Sequence, residues 1–237
     1  MEKSRGKILL VEDDKNLGFV IKDFLEMLSF HVTLKENGLS GLTAFREKSY
    51  DLVLLDVMLP RMDGFTVAEE IRKYDCEVPL IFITARNMDQ DRVKGFRAGA
   101  DDYIVKPFTT EELKLRIKAI MRRTRYNPLA GKEVIYRFGI FTFNSKNHRL
   151  TSPSGDKQLT RREAEVLLLL CKNMNEILRR EVALRSIWGE DDYFMGRSMD
   201  VYIAKLRKIL KEDPNVSITN IHNTGFKLEV QQAVKSE

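Results

Sequence analysis

Four short apolar runs, each followed or ended by a residue able to do chemistry, constrain this chain more than any other feature. They occupy residues 8–11, 52–55, 80–84 and 103–105, with a weaker fifth at 32–34, and all are rich in Val, Ile and Leu. Runs this short read as buried strands rather than helices. Helical periods lie between them. Leu17, Val20, Ile21, Phe24, Leu25 and Leu28 follow i, i+3, i+4, i+7 spacing, and Thr109 with Glu112 forms a capping box ahead of Leu113, Ile117, Ile120 and Met121. Buried strands that alternate with helices imply a parallel sheet covered on both faces, because parallel neighbours need crossover helices. The fold class is therefore α/β, doubly wound.

In such a sheet all strand C-termini point the same way, and the ligand crevice lies just outside them. Glu12-Asp13-Asp14 follows the first strand, Asp56 the third, Thr84 ends the fourth, and Lys106-Pro107 follows the fifth. A lone Asp at a strand end ordinarily serves a turn or cap. A typed residue at each of these ends in turn points instead to one converging site. Gathered carboxylates need a cation, and an all-oxygen set favours Mg²⁺ or Mn²⁺, with Asp13, Asp14 and Asp56 as candidate ligands. A carboxylate beside a hard cation can attack phosphorus, while a nearby ammonium neutralises the charge that develops. Asp56 is the candidate nucleophile, Lys106 the ammonium, and Thr84 the hydroxyl that can bond a phosphoryl oxygen.

The segments VEDD, LVLLDVMLPRMDGF, ITAR and GADDYIVKPF resemble the receiver domain of two-component response regulators over about residues 5–123. The resemblance implies a 2-1-3-4-5 strand order and transfer of a phosphoryl group from a sensor histidine kinase to Asp56. It implies Mg²⁺ held by Asp13 or Asp14, by Asp56 and by the backbone carbonyl of Met58, and a cis bond before Pro107. It makes Thr84 and Tyr103 a switch pair, with a plain core or surface aromatic as the alternative for Tyr103. Haloacid-dehalogenase-like phosphatases also combine an Asp nucleophile with Thr, Lys and Mg²⁺, but they carry an acid two residues after the nucleophile. Met58 stands there, so turnover of phosphate esters lacks its proton donor. Similarity to the OmpR/PhoB-like subfamily implies dimerisation on phosphorylation through the fourth helix, fifth strand and fifth helix. Arg92 with Glu112 and Asp102 with Arg116 would be the charge pairs, with Val93 and Phe96 as the apolar patch between them.

Charge separates the two halves of the chain. Residues 1–120 hold 19 Lys/Arg against 21 Asp/Glu, a net of −2, and residues 121–237 hold 21 against 14, a net of +7. Only the second half is suited to a polyanion. A Pro- and Gly-bearing stretch at 122–131 carries no acidic residue and joins the halves, giving a receiver at 1–123, a linker at 124–133 and a second domain at 134–237. In that domain short strands precede a capping box at Thr160 and Glu163. Three helices follow, near 161–171, 180–188 and 198–211, and then a hairpin at 218–221 and 226–230. The third helix is basic on its outer face. This is the pattern of an α+β winged helix-turn-helix, which lays its third helix in the major groove; a merely solvated basic helix is the plainer alternative.

LTRREAEVLLLL, RREVALRSIWGE and RSMDVYIAKLRKIL resemble the OmpR/PhoB-like effector domain. By that resemblance Val201 and Lys205 would face base edges of double-stranded promoter DNA, and Arg197, Tyr202, Arg207 and Lys208 would meet phosphates. His222-Asn223 stands in the wing where the family usually has Arg-Gly. The loop 189–196, with Asp191 and Asp192, resembles a segment that some relatives offer to RNA polymerase. The N-terminus turns acidic too early for a signal peptide, and no run approaches the ~18 apolar residues of a membrane span. Two cysteines without paired spacing fit a reducing compartment, so a cytoplasmic protein is expected.

Overall fold

The structure, a computed structural model, describes residues 5–86, 88–125, 134–188, 195–222 and 224–231, with backbone alone at 89, 122–125 and 195–198. The chain divides into two units, Met1–Arg125 and Tyr126–Glu237.

The first unit alternates strand and helix throughout: β1 (Gly6–Val11), α1 (Lys15–Met27), β2 (Phe30–Lys35), α2 (Gly38–Glu47), β3 (Leu52–Leu55), α3 (Gly64–Tyr74), β4 (Leu80–Thr84), α4 (Asp89–Arg97), β5 (Asp102–Val105) and α5 (Thr110–Arg125). The strands form one parallel sheet in the order β2-β1-β3-β4-β5. Side chains alternate across a sheet, so every second residue shares a face. Ile8, Leu10, Leu52, Leu54, Ile81, Ile83 and Ile104 thus pack on Ile21 and Leu25 of α1 and on Leu113, Ile117 and Ile120 of α5. On the opposite face Phe82 meets Phe65 of α3 edge-on at 5.3 Å. Both faces being covered is what makes the central strands continuously apolar. Short polar side chains start the helices. Asp14, Asn37 and Asp63 each accept backbone N–H bonds at the first turn of α1, α2 and α3.

The second unit opens with a four-stranded antiparallel sheet, β6 (Ile135–Phe138), β7 (Phe141–Asn144), β8 (Arg149–Ser152) and β9 (Gly155–Gln158), paired in chain order. Then come α6 (Arg161–Lys172), β10 (Ile177–Arg179), α7 (Arg180–Trp188), α8 (Met195–Leu210), and the hairpin β11 (Val216–Ile221) and β12 (Gly225–Val230). The second sheet runs β10-β12-β11. Three helices closed by a hairpin match the winged-helix expectation, and both Thr160 and Glu163 complete the capping box on α6. Strands β9 and β10 are additions. The expected linker falls almost wholly on 126–133, outside the described residues, while α5 continues to Arg125.

Candidate functional site

Strand ends of the first unit bring four residues together across ninety-odd positions of chain. Lys106 Nζ, just past β5, lies 2.6 Å from Asp56 Oδ2 past β3, and 2.8 Å from both carboxylate oxygens of Glu12 past β1. Glu12 is 1% exposed and Asp56 5%. Asp13 is exposed at the mouth, and ligand atoms of Glu12, Asp13 and Asp56 all lie within 4.8 Å of one another. Asp56 Oδ1 accepts the Met58 N–H at 3.0 Å, which orients the carboxylate. Gly64 makes this loop possible. A Cβ there would stand 2.0 Å from the Asp56 carbonyl oxygen, so only glycine lets the start of α3 pass beneath the aspartate.

Burial acts strongly on these charges. It pushes Glu12 up to about 7, against the opposing pull of the Lys106 ammonium. Burial pulls Lys106 down, but its hydrogen bonds to Asp56 and Glu12 outweigh that, and the ammonium ends above its ordinary value. Lys106 therefore stays charged and is held between two carboxylates.

One expected ligand is corrected. Asp14 does not join the cluster, because its Oδ1 caps α1 by accepting the Asn16 and Leu17 N–H groups at 2.9 and 3.1 Å. Glu12 takes the place in the crevice. The signal was available, since an Asp three residues before Leu17, the first apolar position of the helical period, stands where a cap belongs.

Thr84 and Tyr103 are joined through the main chain of Arg86. The Thr84 hydroxyl accepts the Arg86 N–H at 3.3 Å, and the Tyr103 hydroxyl donates to the Arg86 carbonyl at 2.9 Å. Both side chains are buried, and desolvation holds the Tyr103 phenol well above its ordinary range. The ring fits because Gly95 of α4 lacks a side chain: a Cβ there would lie 3.0 Å from Tyr103 Cδ2. The peptide bond between Lys106 and Pro107 is cis.

On the α4–β5–α5 surface Arg116 donates to both oxygens of Asp102 at 3.2 Å and to Glu112 at 3.0 Å. Glu112 and Arg116 are thus joined along one helix face, and the Arg92 guanidinium stands 5.9 Å over the Tyr103 ring. Val93 is half-buried. Phe96 is 3% exposed, so it does not supply the surface patch expected of it.

In the second unit Lys208 and Arg207 of α8 are exposed, and Arg207 Nε donates to the Ile218 carbonyl of β11 at 2.7 Å. Lys205 Nζ lies 3.0 Å from Glu163. Tyr202 and Val201 depart from expectation. Tyr202 is fully buried with its ring 6.0 Å from that of Trp188, and Val201 is 6% exposed, so neither offers a DNA-contacting surface here. The helical period explains Tyr202, which stands three residues after Met199 and four before Leu206 on the core stripe. His222 is exposed. Asn223, the Arg197 side chain and loop residues 189–194 lie outside what is described.

A parallel α/β unit with a lysine-bridged acidic crevice, followed by a winged helix, defines a receiver coupled to a DNA-binding effector. Residues 8–118 match the family described as "Response regulator receiver domain", and residues 155–228 match "Transcriptional regulatory protein, C terminal". The chain belongs to the two-component response regulators of the OmpR/PhoB type; it is a DNA-binding transcriptional regulator, not an enzyme of the ordinary kind. It is 49% identical over 224 residues to transcriptional regulatory protein RprY of Bacteroides fragilis, covering 94% of each chain. It is 34% identical to SrrA of Staphylococcus aureus over 95% of this chain and 96% of that one. Among solved structures, a cysteine-to-serine mutant of RitR aligns with a TM-score of 0.80 at 26% identity, over 95% of this chain and all of the other. Such a regulator implies a histidine kinase and DNA as partners. Among the described residues no helix is long and apolar enough to cross a membrane.

Proposed function

We propose that Asp56 is the phosphoacceptor and that its phosphorylation controls DNA binding by the second unit. The observation that carries this reading is the Lys106 bridge between Glu12 and Asp56, which holds an attacking carboxylate beside a permanent cation. One Asp56 oxygen forms the new O–P bond as the N–P bond of the kinase phosphohistidine breaks, and the electron pair leaves on the imidazole. Lys106 meets the added negative charge. Thr84, already hydrogen-bonded to Arg86, is the hydroxyl available to a phosphoryl oxygen.

Glu12, Asp13 and Asp56 fit a hard divalent cation such as Mg²⁺ or Mn²⁺, being an all-oxygen set with one exposed member, and the Met58 carbonyl is a further candidate donor. When bound, the ion would neutralise phosphoryl charge. The same residues would return the acyl phosphate to water slowly, since Met58 offers no proton. Arg86 carries the change onward: a Thr84 hydroxyl that turns to the phosphoryl group releases the Arg86 N–H, and the Arg86 carbonyl holds Tyr103. From there α4, β5 and α5 would present Arg92, Val93, Asp102, Glu112 and Arg116 to a second copy, giving dimers that set two winged helices on adjacent half-sites. Lys205, Arg207, Lys208, Arg197 and His222 remain the proposed DNA contacts, in a cytoplasmic setting, with residues 189–196 as the candidate contact for RNA polymerase.

The test is Mg²⁺ with acetyl phosphate followed by intact-mass analysis. One added phosphoryl group, absent in Asp56→Asn, is expected; an unmodified wild type, or equal modification of Asp56→Asn, contradicts the assignment.

A further inference from the structure

Lys205 of α8 arrives at its surface already paired. Its Nζ is 3.0 Å from Glu163 Oε1, its side chain is 26% exposed, and the Tyr202 ring centroid lies 6.0 Å away. Glu163 is not a mobile partner. Its second oxygen, Oε2, accepts the Thr160 N–H at 2.9 Å as half of the capping box that starts α6, and the residue is buried. The ammonium therefore leans on a carboxylate fixed by another helix.

We propose that Glu163 is a positioning residue that gives Lys205 its sequence selectivity. The inference rests on the reading of Lys205 as a DNA-facing residue. A lysine alone is a flexible point charge that any phosphate satisfies. An ammonium has three N–H donors, and with one held by Glu163 the other two are aimed while the side chain is immobilised before DNA arrives. The same carboxylate cancels the lysine charge toward the sequence-blind backbone, so the contact that survives is with a base-edge acceptor pair such as guanine O6 and N7. Glu163 thus lowers non-specific binding and sharpens specific binding at once. A simple capping role predicts neither effect.

Selection from a randomised duplex pool with the full-length chain, followed by affinity and salt titrations on the enriched and the random duplex, reads both effects. Glu163→Gln keeps the length and the acceptor for Thr160. It is expected to bind random duplex several-fold more tightly, to steepen its salt slope by about one, and to lower the specific-to-random affinity ratio by about tenfold. Lys205→Ala is expected to erase base preference at one position of each half-site. In the Lys205→Ala background Glu163→Gln should then change nothing further, whereas a loss through a weakened cap would persist there. Unchanged selectivity in Glu163→Gln, or an effect that survives without Lys205, overturns the proposal. Unaltered preference and salt slope in Lys205→Ala alone would instead remove Lys205 from the DNA interface, and the proposal with it.

Discussion

Glu12 and Lys106 show how one residue's burial becomes a property of the whole receiver. The Glu12 carboxyl keeps its proton to about pH 7 in the folded protein but only to its ordinary 4.5 when unfolded, because burial disfavours the charge more than Lys106 supports it. Folding therefore takes up a proton between those values, and this group's contribution to stability is complete below about pH 4.5 and lost as pH rises to 7. In EDTA the wild type should lose on the order of 2–3 kcal/mol across that window relative to Glu12→Gln, measured as urea midpoints at several pH values. Parallel slopes for the two proteins would refute it. The residues of this site were largely legible because strand ends converge whatever lies between them. The exception was the choice between Glu12 and Asp14. Both follow β1, and only the helix start at Lys15 commits Asp14 to capping. Tyr202 and Phe96 misled for the opposite reason: resemblance names a position, but burial depends on how each side chain meets its own neighbours.

At the scale of elements, Arg72 ties three of them together. From the last turn of α3 it donates to the Gly99 carbonyl after α4, to the Asp75 and Val78 carbonyls before β4, and to Asp101 before β5. Asp101 also accepts the Leu80 N–H, so the pair closes the end of the sheet opposite the acidic crevice. The pair is nearly solvent-free, and removing one member leaves a buried charge. Arg72→Ala should destabilise the receiver by about 3–5 kcal/mol in urea unfolding, and a cost under about 1 kcal/mol would show the network to be dispensable. No sequence period announces this clamp. Strands β9 and β10 were hidden for related reasons. Every residue of β9 is exposed, so it has no apolar alternation, and the three residues of β10 are a strand only because they pair with Gly225–Lys227. Long amphipathic elements such as α1, α6 and α8 carry their own signal; short ones borrow theirs from a partner.

Across the whole molecule, the proposed signal starts at an acidic site on one unit and is read out by a basic helix on the other. DNA affinity should fall steeply with salt, and Lys208→Ala, at an exposed position of α8, should reduce the slope of log K against log salt by about one without changing base preference. A slope unchanged in Lys208→Ala would remove that residue from the phosphate contacts. Whether phosphate on Asp56 raises DNA affinity is read from a titration of a duplex enriched from a randomised pool, with and without Mg²⁺ and acetyl phosphate. The wild type should bind more tightly once phosphorylated and Asp56→Asn should not respond; if Asp56→Asn binds as tightly as the phosphorylated wild type, control by phosphorylation is contradicted.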